Sequence, residues 1–439
     1  MAAEQPVVIV GGGIAGAAAA LRLAEHGREV ILFEAGERLG GLVVSFEVGG
    51  TPLECFYHHI FPHESHIRGL IDELGLTRRL EWLPSTMGVL TGGRLWPFTT
   101  PLDILRFGPM TLPERLRMGV GGLRLQRWRD WESLDEVPAR QWLTDATGPA
   151  AVRELWDPLL RAKFGAAAPE VPAAWMWGRF EQRRGARKGS GEKLGYLRGG
   201  FRQLFDALAM RLESLGVEIR TSSRATSLEA AGGAVTGVAG DGGDVETDTV
   251  LYTGALPGIT RLVPAEHADP LWAGAQGMGV VCSVIETDRP ITDVYWTNVC
   301  DPALGFGAII EQTNLLSPAD YGGRHVTYLG RYFTAAERDI AATDAAALTD
   351  EWLDNLAAAY PRFDRSSVQA VHPFKTPYAA PLVTLGYRKR IPPLHAPLEG
   401  LYVATTAQIY PADRGVSEGI RIGEEAAAAI RSDRQRAPR

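Results

Sequence analysis

The stretch from Val7 to Glu34 constrains the fold more than any other part of this 439-residue chain. Val7-Val8-Ile9-Val10 is a continuous β-branched run, the pattern of a parallel strand buried on both faces. Gly11, Gly13 and Gly16 follow in G-x-G-x-x-G spacing. The first permits a tight turn, the second lets backbone approach a pyrophosphate, and the third allows close helix–strand packing. The Ala/Leu run Ala17 to Glu25 predicts a helix ending at Gly27, with its N-terminal amides and dipole facing a diphosphate that Ile14 and Ala15 in the glycine turn also contact. A second strand, Glu29 to Phe33, leads to Glu34, 18 residues after Gly16. That separation brings a carboxylate to the ribose hydroxyls of an adenosine and disfavours a 2′-phosphate, hence NADP. Strand, glycines, helix, strand and acid in this order specify a dinucleotide-binding Rossmann unit.

The following residues narrow the dinucleotide. Glu34-Ala35-Gly36-Glu37-Arg38-Leu39-Gly40-Gly41-Leu42 resembles the E-A-x-x-R-x-G-G-R signature of the flavin amine oxidase and protoporphyrinogen oxidase superfamily. The resemblance implies FAD, with Arg38, Gly40 and Gly41 on its diphosphate and ribityl region and Ala35 and Leu42 beside them. Leu42 stands where the family usually carries a second Arg, which marks a divergent member. Near the far terminus, Gly415 to Ala427 resembles the superfamily's closing motif. It implies that Gly415, Val416 and Ser417 open a helix toward the flavin pyrimidine, where a dipole of roughly half a unit charge favours the reduced ring. The strand Gly400 to Thr406 lacks the acid usual at its end, and Asp413 is the candidate substitute. By the same resemblance, backbone near Ala225 brackets the adenine.

The rest of the chain is read as two interleaved domains. The expected class is α/β: a Rossmann-type FAD-binding domain (1–85, 195–254 and 386–439) interleaved with an α+β substrate domain (86–194 and 255–385). The substrate domain is expected to hold an antiparallel sheet and a helical insert at about 100–190, where Arg, Trp and Pro are frequent. Within the insert, Trp175, Trp177, Arg179 and Arg183 suit an aromatic or anionic substrate, although buried Trp and surface Arg explain them equally well. The insert's arginines among Leu, Met and Trp also suit peripheral contact with a membrane or lipid-linked substrate, against the plainer reading of a solvated basic face. A net charge of −7 gives no global field for nucleic acid, so a small-molecule substrate is expected. Cys55, Cys282 and Cys300 lack metal spacing and cannot all pair, which fits a reduced, cytoplasmic compartment. No run reaches the roughly 18 apolar residues of a membrane span.

Four histidines fall between Phe56 and His66. His58 and His59 point to opposite faces of an extended segment and no Cys or carboxylate set completes a site, so no metal is expected. Lining of the flavin or substrate cavity, or ordinary packing, accounts for them. The resemblance implies a flavin-dependent oxidase or dehydrogenase that takes hydride to flavin N5 from an amine, a porphyrinogen-like ring or another small organic donor. Lys375, Tyr378, Tyr410 and His59 are the candidate catalytic residues, Lys375 because many amine oxidases of this fold place a Lys near N5. Two alternatives stand beside this reading. One is a non-redox flavoenzyme resembling UDP-galactopyranose mutase; the other is an FAD-binding protein without turnover.

Overall fold

Strand Val7–Val10 is buried along its whole length, and it lies at the centre of a five-stranded sheet. The computed structural model describes residues 4–186 and 192–436. The sheet runs in the order Leu401–Val403, Thr249–Tyr252, Val7–Val10, Val30–Phe33, Glu218–Arg220. Every neighbouring pair in it is parallel. Apolar β-branched runs buried on both faces are what a parallel sheet demands.

Two helices cover one side of this sheet: Ile14–Glu25, which leaves the glycine turn, and Val416–Arg436 near the C-terminus. Gly419 packs on Ile14, Arg22 bonds Glu424, and Arg431 meets His26, so the two helices run in the same direction. Their approach needs glycine: a Cβ on Gly423 would sit 2.2 Å from the Ala15 carbonyl oxygen. Both N-termini therefore open at the same end of the fold, beyond the C-terminal edge of the parallel strands. Glycine turns join the small antiparallel sheet Ala225–Ala231, Ala234–Gly240 and Val245–Glu246 beside this lobe.

A seven-stranded sheet forms the second lobe, in the order Val368–Pro381, Gly277–Thr287, His325–Thr334, Ala308–Glu311, Trp296–Val299, Met87–Thr91, Arg94–Pro97. It is antiparallel except where Trp296–Val299 and Met87–Thr91 run parallel. Side chains alternate between its faces. Cys282, Val284, Ile310 and Tyr328 join the core shared with the dinucleotide lobe, whereas Val281, Ile285, Ile309 and Leu329 pack under helix Ala345–Ala359.

Residues 101–186 carry the helical insert, including helices Pro101–Leu105, Leu112–Leu125, Ala139–Thr147, Asp157–Phe164 and Ala173–Ala186. Thr100 with Asp103, and Thr111 with Glu114, form capping boxes that fix the first two starts. No described helix is long and apolar enough to cross a membrane. The three cysteines are free thiols and all buried.

Candidate active site

The N-terminal glycines form a cradle with a specific shape. Gly11 adopts φ +114°, and a Cβ on Gly16 would stand 2.0 Å from the Gly11 carbonyl, so helix and turn touch only because both are glycine. Glu34 ties the cradle together: its carboxylate accepts from the amides of Gly12 (2.7 Å) and Gly36 (2.6 Å). Each oxygen keeps a further lone pair for a ribose hydroxyl. The second glycine turn stacks on the first, with Gly40 N–H donating to the Gly12 carbonyl at 3.0 Å.

A Cβ on Gly41 would lie 3.1 Å from Gly13 Cα, whereas one on Gly13 meets nothing nearer than 3.9 Å. The protein thus leaves room at Gly13 that the fold itself does not require, directly before the N-terminus of helix Ile14–Glu25. Stacked glycine turns, free helix amides and one carboxylate fit an adenine dinucleotide diphosphate. Arg38 is exposed and only 3.8 Å from Asp206, so its guanidinium is loosely held. Ala35 is exposed and Leu42 half-buried in the turn Gly41–Val43, while Ala225 is buried at the start of its strand.

At the second helix start, Val416 and Ser417 are buried, and Ser417 Oγ accepts from the Ile67 amide at 3.4 Å. Glu64 stands beside Gly415, and burial, reinforced by Glu418, pushes its carboxyl up to about 7.

Beside the cradle end, four segments distant in sequence bring charge together. Helix Asp157–Phe164 buries Leu160 and Phe164, and this inward face carries Lys163 as well. Lys163 Nζ lies 3.2 Å from both carboxylate oxygens of Asp413 and 4.6 Å from the Trp175 ring centroid. Arg179, one turn after Trp175, donates to Asp413 at 2.5 Å. Gly178 lets this helix meet the C-terminal loop, since a Cβ there would be 2.1 Å from the Pro411 carbonyl. Arg414 donates to the Ala379 carbonyl and, at 2.9 Å, to the Tyr332 hydroxyl. Tyr57 packs over Gly330 and contacts Trp296 edge-on at 5.2 Å.

The space these part-enclosed groups surround is the candidate cleft, with Asp413, Lys163 and Arg179 still 14%, 18% and 27% exposed. Burial disfavours the Lys163 ammonium and lowers its pKa even with Asp413 beside it. Asp413 responds oppositely: burial opposes its charge, but Lys163, Arg179 and Arg414 hold it well below the usual carboxylate range. Burial likewise opposes ionisation of Tyr332, yet Arg414 and Lys163 draw its pKa below that of an ordinary phenol. Its partner Tyr57 is pushed up by burial.

His59 stands at the wall of this cleft, 3.3 Å from the Tyr295 hydroxyl and edge-on to Trp296. Burial, helped by Arg179, lowers it to about 3, so it is neutral at physiological pH. Of the other expected catalytic residues, Lys375 lies elsewhere. Lys375 pairs in register with Val281, which faces helix Ala345–Ala359, whereas its neighbour Phe374 pairs with Cys282 on the face toward the dinucleotide lobe. Its ammonium donates to the carbonyls of Ile340, Ala341 and Thr343 at 2.7–2.8 Å, which corrects the expectation of a Lys in the cleft.

Tyr410 gives its hydroxyl to Asp135 at 2.5 Å and packs on Tyr387, so it pins the insert to the C-terminal loop. Tyr378 lays its ring over Gly277, and burial raises its phenol to about 12. Asp413, the expected ribityl contact, pairs with Lys163 and Arg179. Among the described residues no three His, Cys, Asp or Glu converge as a metal site. Lys163, Tyr332 and Arg414 escaped sequence reasoning. For Lys163 one signal was present, a cation at the i+3 position of an apolar helix face.

Known proteins share this architecture. A 15-cis-phytoene desaturase of Solanum lycopersicum is 24% identical over 431 residues, covering 91% of this chain and 73% of the relative. The crystal structure of a putative protoporphyrinogen oxidase from Exiguobacterium superposes with TM-score 0.78 at 20% identity, covering 99% of this chain and 100% of the other. Reduced UDP-galactopyranose mutase superposes with TM-score 0.77 at 16% identity, covering 98% and 96%. The family model for flavin containing amine oxidoreductases matches residues 14–431, and the chain therefore belongs to that family, an enzyme whose cofactor is FAD.

Proposed function

We propose that this enzyme oxidises a C–H or N–H donor carrying an anionic group, with a carboxylated porphyrinogen-like ring the class that fits best. The observation behind this reading is the charge balance of the cleft. Lys163 and Arg179 pair with Asp413, and Arg414 follows it in sequence, so three cations share one carboxylate. A cleft with net positive charge repels a protonated amine and draws in an anion. Trp175, Tyr57 and Trp296 offer flat apolar walls for a ring.

When bound, FAD supplies the hydride-accepting chemistry. The chain's own residues bind, orient and move protons. Arg179 and Arg414 present forked donors suited to a carboxylate, and Lys163 adds a point charge. Tyr332, drawn below the ordinary phenol range, is the group suited to take the proton released as the donor is oxidised. Neutral His59 adds a hydrogen-bonding edge without adding charge.

The same cation excess also suits the diphosphate of a nucleotide sugar, which keeps the mutase-like, non-redox reading in view. Anaerobic mixing with amines, carboxylated porphyrinogens and nucleotide sugars separates these outcomes. Flavin bleaching by the carboxylated ring and not by simple amines supports the proposal; fastest bleaching by an amine overturns it. Turnover of a nucleotide sugar that requires reductant and consumes none assigns the cleft to the second reading.

A further inference from the structure

We propose that the outer face of the helical insert docks on an anionic lipid bilayer. In helix Leu112–Leu125, Met118, Gly121 and Leu125 are buried against the rest of the insert. At about 100° per residue, Leu112, Leu116, Val120 and Leu123 fall within an arc of about 80° on the opposite side. These four are 51–56% exposed. A helix packed on one face ordinarily turns polar residues to water on the other; this one is apolar on both. Leu102 and Leu105 of the preceding helix and Trp128 after it extend the patch. Seven of the ten large apolar side chains exposed among the described residues thus lie between 102 and 128. Singly scattered exposed leucines are ordinary, but a contiguous stripe marks an interaction surface.

Charge complementarity identifies the partner. Arg106, Arg117, Arg124 and Arg127 are exposed around the stripe. Of the acids on the two helices, Asp103 accepts from the Thr100 amide at 2.7 Å and lies in the field of Arg106, while Glu114 accepts from the Thr111 amide at 2.8 Å, which leaves Arg117, Arg124 and Arg127 as the exposed cations beside the stripe. An apolar stripe edged by exposed guanidinium groups matches acyl chains beneath phosphate headgroups, with the long Arg stems reaching outward. A symmetric contact with a second copy would set these arginines against their own kind. No described helix crosses a membrane, so the attachment is peripheral. The same insert supplies Lys163 and Arg179 to the cleft, which places the bilayer against the module that binds substrate.

The test is co-sedimentation of the flavin-loaded full chain with phosphatidylcholine vesicles, with and without phosphatidylglycerol. Wild type should pellet with the anionic vesicles, and less so at high salt. The double variant Leu116→Glu/Leu123→Glu should lower the partition coefficient by at least about tenfold while retaining bound flavin. Arg117→Ala/Arg124→Ala should remove most of the salt-sensitive part. Wild type remaining in the supernatant, or the double Glu variant pelleting equally, overturns the proposal. A wild-type dimer in sedimentation velocity that the double Glu variant dissociates, without vesicle binding, assigns the stripe to a second copy and overturns it as well.

Discussion

Replacing Asp413 by Asn would leave Lys163, Arg179 and Arg414 facing one another without their anion. Lys163 Nζ stands 3.2 Å from each carboxylate oxygen. At that separation an effective dielectric near 20 gives a gross attraction of about 5 kcal/mol. Desolvation of both ions offsets most of it, and the 14% and 18% of surface they keep on the cleft adds screening. Asp413→Asn should therefore destabilise the fold by about 2–3 kcal/mol, since it strands cations that were paired. Lys163→Met should cost about 1–2 kcal/mol, because Arg179 still reaches the carboxylate.

The double variant should then cost less than the sum, with a coupling of about 1–2 kcal/mol. Denaturant unfolding followed by far-UV circular dichroism and flavin fluorescence reads all three values. Additivity within about 0.5 kcal/mol would refute the claim that this pair organises the cleft. The sign with pH follows from the depressed carboxyl. Its contribution is present above the unfolded-state pKa of 3.8 and is lost only as pH falls through the lower folded-state value.

Further outcomes follow from the same contacts. Gly13→Glu should fold, since a Cβ there meets nothing nearer than 3.9 Å, yet purify without flavin because a carboxylate would occupy the diphosphate space; a yellow variant contradicts the placement of the cradle. Lys375→Ala should lower stability by about 1–2 kcal/mol through its lost carbonyl bonds, and leave flavin reduction by dithionite and by substrate unchanged. A loss of substrate reduction alone would return Lys375 to the cleft. Burial pushes Glu311 up to about 7, against an unfolded value of 4.5. The folded state therefore keeps a proton that the unfolded chain releases, and stability should fall by about 2 kcal/mol from pH 5 to 7. Glu311→Gln should flatten that slope in denaturant titrations, and an unaltered slope would place the titration elsewhere.

The cradle was legible because its signals are local. Gly11, Gly13, Gly16 and Glu34 sit within one strand–helix–strand unit, where backbone geometry alone dictates residue type. The C-terminal helix was legible for the same reason, and Gly419 and Gly423 now have a packing role against Ile14 and Ala15. The cleft was not legible. Lys163 and Asp413 are 250 residues apart, and only the tertiary fold of the insert joins them.

The side to which Lys375 turns was not legible because strand Val368–Pro381 contains Pro373 and Pro377, which obscure the alternation that turns Lys375 away from Phe374. The hydroxyl partner of Tyr410 was not legible either, since Asp135 lies 275 residues away. Pattern locates secondary structure and phosphate cradles, whereas a polar cluster closed by long-range contacts has no periodicity to read.

The central claim is that the cleft selects an anionic donor for oxidation. It is tested most directly by anaerobic stopped-flow reduction of the bound flavin with a carboxylated porphyrinogen and with its methyl ester, in wild type and in Arg179→Met. The account predicts that the free acid reduces the wild-type flavin at least about tenfold faster than the ester, one well-placed charge-assisted contact being worth about 1.5–3 kcal/mol. Arg179→Met should narrow that ratio. Equal rates for acid and ester, or an undiminished preference in Arg179→Met, would contradict it.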